Sequence, residues 1–457
     1  LISATLRGMV RIIMRVFMRS DAFYLLSFFA TVIFIGSLLL LVPGVWRGTP
    51  DAPGALQPID AVFTATSAVC VTGLITVDTA GYSRLGQIII LALIQIGGLG
   101  IISFTSILLT IPGRRLPLRR LGTIQSFYVD GVEYKPVHIV RNIVFFTLAI
   151  EVLGAIALAL SFRAAGVGGW VFAGLFHSVS AFCNAGFSIF STNMRAFSGN
   201  VPILATLMVL IVSGGLGFIV LQDLYRWTRQ RKHRLSYHSR VVLFMTGLLI
   251  VGGAGVFFLI ERTGLYREMD LATAGINAFF QSISPRTAGF DAMPQEMLSQ
   301  PSKFLTMLLM LIGGAPGSIA GGIKVTTAFI VVLSMLRRPD RNGDITLSRH
   351  RLTARTINDG TVYFIKALAL LLTSVLALSL MEGLRGADFS SIAFETVSAF
   401  GTVGLSLGLT ASLSVAGKMV IIATMFAGRV GLIALAFPGG KNDHRDISFP
   451  EGKILLG

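Results

Sequence analysis

Apolar runs of two lengths alternate along this chain, some near twenty residues and some near twelve. A helix of about twenty residues crosses a hydrocarbon core of roughly 30 Å, whereas one of about twelve cannot. The first copy of the pattern places a long helix near 22–43, a short helix near 58–70, an extended stretch at 71–76 and a second long helix near 85–111. The same order is predicted near 142–162, 171–183, 184–189 and 201–224, and near 241–261, 272–284, 285–291 and 303–335. A fourth copy falls near 361–381, 389–400, 401–406 and 416–437. The short helices must then enter the membrane and turn back.

Each short helix ends in a segment closed by a single glycine: Ser67 to Leu74, Ser180 to Phe187, Ser282 to Phe290 and Ser398 to Leu405. Gly73, Gly186, Gly289 and Gly404 recur at intervals of roughly a hundred and ten residues, too long for a solenoid unit and suited to four copies of one membrane module. Irregular backbone at membrane depth is tolerated only where it is buried in protein or lines water. The four segments are therefore expected to converge on one aqueous path, with the partially negative C-termini of the short helices favouring a cation there. Val71-Thr72-Gly73, Asn184-Ala185-Gly186, Thr287-Ala288-Gly289 and Thr402-Val403-Gly404 share only the glycine, which argues for coordination by main-chain carbonyls. They contain no ring of Asp or Glu, so a divalent-cation filter is disfavoured. The competing reading is that the glycines only pack helices.

Composition agrees with a membrane as the solvent. Of 457 residues, 53% are hydrophobic and 13% charged, with a mean hydropathy of +0.77, far more apolar than an ordinary globular chain. The fold class expected is an all-α polytopic membrane protein. The net charge of +16 would suit nucleic acid, but its distribution suits a membrane better. Lys and Arg gather between modules, at Arg7, Arg11, Arg15 and Arg19, at Arg114, Arg115, Arg119 and Arg120, from Arg226 to Arg234 and from Arg337 to Arg355. Within modules they are isolated, as at Arg47, Arg84, Arg163 and Arg195. Both termini and the inter-module loops are thus placed in the cytoplasm of a multi-pass plasma-membrane protein, and no nucleic-acid partner is expected. Cys70 and Cys183 lie inside apolar repeats and are read as packed thiols. No cleavable leader is evident.

The second long helices carry glycines in a register of their own. Gly97-Gly98, Gly214-Gly215, Gly313-Gly314 and Gly428 follow their filter glycines by 24 to 28 residues. In the third module the mark widens into a stretch from Gly313 to Lys324 containing Gly314, Pro316, Gly317, Ser318, Gly321 and Gly322, which cannot sustain a regular helix. Gly317 and Gly322 have the spacing of a phosphate-binding loop, but Ile323 stands where its lysine belongs and Lys324 comes one residue late. Arg429 falls in the middle of an apolar run, where an arginine costs roughly 2.5–3.5 kcal/mol on insertion scales. Beside Gly428 it reads as a pore-facing cation beneath the filter; the alternative is that it snorkels to an interface. Glu151, on an outer helix, reads as a structural or dimer-packing acid. The N-terminal arginines, spaced by four beside Ile12, Ile13, Val16 and Phe17, predict an interfacial helix against lipid.

Segments such as Ala68 to Leu74 and Arg286 to Phe290 resemble the Trk/Ktr/HKT superfamily of potassium transporters, and within it the membrane subunits (KtrB) of bacterial Ktr systems. The resemblance covers nearly the whole chain. It implies four helix–pore-loop–helix repeats in pseudo-fourfold symmetry around one pore, a homodimer with two pores, and a cytoplasmic ring of nucleotide-binding KtrA-type subunits. It further implies that 313–322 is an intramembrane gating loop and Arg429 its partner, and that K⁺ is the transported ion, Gly73 standing where serine in plant relatives accompanies sodium. No cofactor is expected in the chain. Na⁺ as a coupling ion remains open, as do a sodium-selective or nonselective transporter of the same build and, in a different class, a membrane enzyme or receptor. The divisions expected are the interfacial helix 1–21, modules at 22–111, 112–224, 225–335 and 336–437 with their preceding loops, and a tail at 438–457.

Overall fold

The computed structural model describes residues 21–48, 54–110, 136–230, 234–347 and 350–431. The first module comprises α1 (Asp21–Leu40), the short α2 (Pro58–Val69) and α3 (Arg84–Thr110). The second comprises α4 (Pro136–Ala164), the short α5 (Trp170–Phe182), and an inner helix in two pieces, α6 (Val201–Leu216) and α7 (Phe218–Arg229). The third contains α8 (Tyr237–Glu261), the short α9 (Leu271–Ile283), α10 (Gln300–Leu311) and α11 (Val325–Leu336). After a small hairpin of β1 (Ile345–Leu347) and β2 (His350–Leu352), the fourth contains α12 (Ala354–Glu382), the short α13 (Phe389–Gly401), α14 (Leu409–Ser412) and α15 (Val415–Phe426), which runs into a π-turn at Ala427–Gly431. The hairpin departs from an entirely helical expectation. The basic N-terminal stretch through residue 20, the loop carrying Arg114 to Arg120 and the tail at 438–457 lie outside the described residues.

The interior is largely apolar, with Phe29, Phe63, Phe176 and Phe400 fully buried, but much of the surface is apolar too. Large apolar side chains such as Phe145, Leu153, Phe244 and Leu259 point outward, while Thr66, Ser67, Thr72, Glu151, Glu395 and Arg429 are buried. That distribution matches lipid outside and polar side chains sheltered from it inside. Among the described residues, Arg141–Ala164, Tyr237–Glu261 and Ala354–Arg385 are by length and composition able to cross a membrane on their own.

Two of the long inner helices expected from hydropathy are not single helices. The run 201–224 bends by 105° between α6 and α7, at Gly217, whose φ of 81° and ψ of 151° lie outside helical space. The run 303–335 is interrupted from 312 to 324 by the glycine-rich stretch. Hydropathy averages over such breaks because the residues that cause them are as apolar as their neighbours.

Several polar contacts join the modules' ends. In the third and fourth modules the acid closing the outer helix holds the N-cap serine of α10 or α15: Glu261 accepts from the Ser299 amide at 3.0 Å and its hydroxyl at 2.6 Å, and Glu382 from the Ser414 amide at 3.0 Å and hydroxyl at 2.5 Å. These bonds satisfy helix-terminal donors that lipid could not. The fourth module returns to the first through a buried ion pair, with Lys418 Nζ of α15 2.7 Å from Asp60 Oδ1 of α2.

Candidate functional site

The four predicted segments share one backbone conformation. Two residues before each glycine stands a residue in the left-handed region, Val71 (φ 55°), Asn184 (56°), Thr287 (73°) and Thr402 (50°), and the glycines follow at 94°, 69°, 73° and 101°. Of five non-glycine residues with positive φ among the described ones, these are four. Each such residue costs of order 1–3 kcal/mol and persists only where its surroundings enforce it. Part of that enforcement lies behind the segments. The Thr72 amide donates to the Ser67 carbonyl at 2.8 Å and Gly73 to its hydroxyl at 3.0 Å. Val403 and Gly404 repeat the pair on Ser398 at 2.8 Å and 3.0 Å. In the second module Ala185 donates to the Ser180 carbonyl at 2.7 Å, and the Ser180 hydroxyl donates to Phe187 at 2.8 Å.

The third module corrects the serine register read from sequence. Ser284, not Ser282, takes this place: it receives the amides of Ala288 at 3.0 Å and Gly289 at 3.1 Å, and its hydroxyl donates to the Phe290 carbonyl. Ser282 instead bonds outward to the carbonyls of Leu249 and Ile250 on α8. Ser284 stands five residues before its glycine whereas Ser67, Ser180 and Ser398 stand six before theirs, a shift invisible without the turn geometry.

The glycines close on one another in sequence order. A methyl added to Gly73 would lie 2.4 Å from the Ala185 oxygen, one on Gly186 2.8 Å from that of Ala288, one on Gly289 2.0 Å from that of Val403, and one on Gly404 2.3 Å from that of Thr72. Each module thus abuts the next, and the last abuts the first. Among the described residues, the carbonyls of Thr72, Ala185, Ala288 and Val403 accept no protein hydrogen bond.

The second glycine register marks another set of close approaches. A methyl on Gly97 would fall 2.0 Å from the Val69 oxygen, on Gly214 1.9 Å from Phe182, and on Gly428 2.1 Å from Phe400, the carbonyls at or next to the ends of α2, α5 and α13. These inner helices press directly against the short ones. In the third module the equivalent Gly313 meets the stretch's own Gly321 oxygen at 2.1 Å and the Thr287 methyl at 3.3 Å.

The 312–324 stretch is an ordered loop that touches all four modules. Gly313 donates to Ile323 at 2.8 Å and Val325 to Gly314 at 3.1 Å, cinching its base. Ala315 donates to Gly215 at 2.9 Å and Ile319 to Gly214 at 3.4 Å, using carbonyls freed where α6 ends; in return the Phe218 amide of α7 donates to Gly317 at 3.4 Å. Gly321 packs so closely on Thr402 that a methyl would sit 2.0 Å from its hydroxyl, and Ile319 lies beside Gly98 of α3. Arg429, 3% exposed, donates through Nη1 to the Ile319 carbonyl and through Nη2 to the Gly97 carbonyl at 3.2 Å. It is buried inside the protein, not snorkelled to a surface.

Glu151 is engaged within the chain. Gln95 donates to its Oε2 at 3.1 Å, and Cys183 lies 3.8 Å from Oε1, tying α4 to α3 and to the end of α5. Sequence reasoning missed Gly217, Lys324 as a contact of the loop, and the Asp60–Lys418 pair. Lys418 carried a visible signal, a lysine in an apolar run, that Arg429 overshadowed.

Long apolar helices around shorter broken ones, with four tightly packed glycine turns and a glycine-rich loop against them, describe a helical membrane protein. The chain matches the family model for TrkH, described as a cation transport protein, over residues 18–438, and it belongs to that family. It is a transporter, and the reading as a membrane enzyme or receptor falls away. It is 38% identical over 411 residues to the Ktr system potassium uptake protein B of Vibrio alginolyticus, covering 88% of this chain and 89% of that one. It is 36% identical over 447 residues to the potassium/sodium uptake protein NtpJ of Enterococcus hirae, with 94% and 96% covered. The crystal structure of the potassium transporter TrkH from Vibrio parahaemolyticus shares the fold, with a TM-score of 0.69 at 21% identity over 91% of this chain and 84% of that one.

Proposed function

We propose that this chain is the ion-conducting subunit of a Ktr-type potassium uptake system in the plasma membrane, passing K⁺ through a filter of backbone carbonyls contributed in pseudo-fourfold fashion. The observation that carries the reading is the closed circuit of glycine-to-carbonyl approaches, Gly73 to Ala185, Gly186 to Ala288, Gly289 to Val403 and Gly404 to Thr72. Carbonyls that accept no protein hydrogen bond and face a partner across a glycine are suited to replace the hydration shell of a monovalent cation. The partially negative ends of α2, α5, α9 and α13 point the same preference. The loop 313–322, with Gly313, Gly314, Gly317, Ser318, Gly321 and Gly322, serves as the gate below, and Arg429 fastens it while adding a positive barrier to the path. The assembly is a homodimer in membrane lipid, with both termini cytoplasmic and a KtrA-type nucleotide-binding ring on that side as the regulator; the names of the Ktr relatives support that partnership.

A second reading, conduction of both potassium and sodium, is favoured by the similarity to a potassium/sodium uptake protein. Sodium as a coupling ion stays open on the same ground. Rubidium-tracer uptake into vesicles reconstituted with the chain, competed by K⁺ or Na⁺, separates the readings. Competition by K⁺ alone at equal concentration is expected; equal competition by Na⁺ would establish the second reading, and absence of any monovalent-cation flux would overturn both.

A further inference from the structure

The serine that ties down each turn has a polar companion one helical turn earlier on the same short helix. Three residues before Ser67, Ser180, Ser284 and Ser398 stand Thr64, His177, Gln281 and Glu395, and residues at that spacing share a helix face. All four are buried. They differ in chemistry, yet each bonds to the chain that leaves the filter glycine of its own module.

The fourth module has the fullest hold. Glu395 Oε1 accepts from the Ser406 hydroxyl at 2.5 Å and the Leu407 amide at 3.1 Å, and Oε2 accepts from the Thr410 hydroxyl at 2.6 Å. In the third, Gln281 and Gln295 exchange amide hydrogen bonds at 2.8 and 3.1 Å, and Gln295 donates onward at 3.1 Å to Asp291, two residues past Gly289. In the second, His177 Nδ1 donates to the Ala173 carbonyl at 2.8 Å. Nε2 of the neutral ring then accepts at 2.9 Å from the hydroxyl of Ser188, two residues past Gly186. In the first, the Tyr82 hydroxyl donates to Thr64 at 3.3 Å.

Each turn is thereby held on both sides of its glycine. Ser398 receives the amides of Val403 and Gly404, while Glu395 takes its three donors from residues past Gly404. Between them lie Thr402 at φ 50° and Gly404 at 101°, a backbone that persists only where its surroundings over-determine it. A buried acid is costly unless its oxygens are hydrogen-bonded. Among the described ion pairs none includes Glu395, and its side-chain contacts all go to the outgoing chain.

We propose that Glu395 is a positioning residue for ion selection, holding the chain that leaves Gly404 so that the Val403 carbonyl keeps the placement a dehydrated K⁺ needs, with His177 and Gln281 in the same role in their modules. This rests on the reading of the four segments as a potassium filter. Glu395 acts through the backbone and not through contact with the ion.

The test is rubidium-tracer uptake into vesicles holding equal amounts of the full chain or a variant, titrated with rubidium and competed by K⁺ and by Na⁺. Glu395→Ala is expected to raise the half-saturating rubidium concentration roughly three- to tenfold, the range of one lost hydrogen bond. Its preference for K⁺ over Na⁺ should fall, with a smaller change in maximal rate. Glu395→Gln can still accept from Ser406 and Leu407 and donate to Thr410, and should retain most of both properties. Glu382→Ala, which frees the N-cap serine of α15, should lower thermal stability without moving either.

If the wild-type chain carries no monovalent cation, or carries K⁺ and Na⁺ alike, the potassium-filter reading falls and this inference with it. If it discriminates and Glu395→Ala leaves half-saturation and preference unchanged, the assignment of Glu395 is overturned while the filter stands. A Gln variant as impaired as Ala would assign the effect to charge, and an equal shift in Glu382→Ala would assign it to general destabilisation; either overturns the positioning role. Should the Ala variant not be recovered in membranes, Ser406→Ala decides: a smaller shift in the same direction supports the proposal, and none overturns it.

Discussion

At Gly73 a side chain has nowhere to go: φ is 94°, and a methyl would fall 2.4 Å from the Ala185 oxygen. Gly73→Ser must shift a carbonyl of the neighbouring module or rotate its own, and either blunts discrimination that depends on carbonyl placement. A lower ratio of potassium to sodium uptake is expected, against an unchanged ratio for Gly252→Ser on α8, where a methyl meets nothing within 4 Å. Gly97 would be a poor control, since its methyl would strike the Val69 carbonyl. Arg429 makes the second prediction at this scale. Losing two hydrogen bonds from a charged donor, each worth about 1.5–3 kcal/mol, Arg429→Ala should raise uptake roughly tenfold or more, and Arg429→Lys, which keeps charge without the planar fork, by less. Uptake by Arg429→Ala at the wild-type rate with normal expression would remove it from the gate.

The four glycines were legible because a carbonyl-lined turn needs glycine whatever its neighbours are. Ser284 was not, because a serine one residue nearer its glycine, with Ser282 close by as a decoy, leaves no mark in hydropathy. Lys324 was visible as a residue but not as a contact, since only the folded loop brings its ammonium to Ala320.

Among the elements, the pairing of the loop with the broken helix α6–α7 has the clearest consequence. The bend at Gly217 frees the Gly214 and Gly215 carbonyls and the Phe218 amide, and the loop takes up all three. Since α7 leads from these bonds to Arg226 and Arg229, a change in its angle would reach the proposed gate through backbone hydrogen bonds. Phe218 is the first residue of α7, where proline is tolerated, so Phe218→Pro removes the donor to Gly317 with little cost to the helix. Uptake without a regulatory partner should rise roughly two- to tenfold, as befits one hydrogen bond of about 0.5–1.5 kcal/mol. Phe218→Ala keeps the amide and loses only the ring packed on Phe146; an equal rise in both variants would assign the effect to the ring. The short helices and outer helices were readable from apolar run length. The breaks at 217 and 312–324 were readable as glycine but not as changes of direction, because direction depends on which neighbour accepts the freed backbone groups.

On the scale of the molecule, the circuit of modules closes at Lys418 and Asp60. Breaking a buried ion pair from one side leaves an uncompensated charge and costs about 3–5 kcal/mol. Lys418→Met should lower the thermal stability of the detergent-solubilised protein substantially, and Asp60→Asn in addition should recover part of the loss. If Lys418→Met unfolds at the wild-type temperature, the pair does not close the ring energetically.

A potassium-sized ion held among main-chain carbonyls of four modules would be seen directly by anomalous scattering from crystals grown in rubidium. The expected result is a peak enclosed by the carbonyl oxygens of Thr72, Ala185, Ala288 and Val403. A peak held elsewhere by side-chain carboxylates, or none within that ring at saturating rubidium, would contradict the proposed filter.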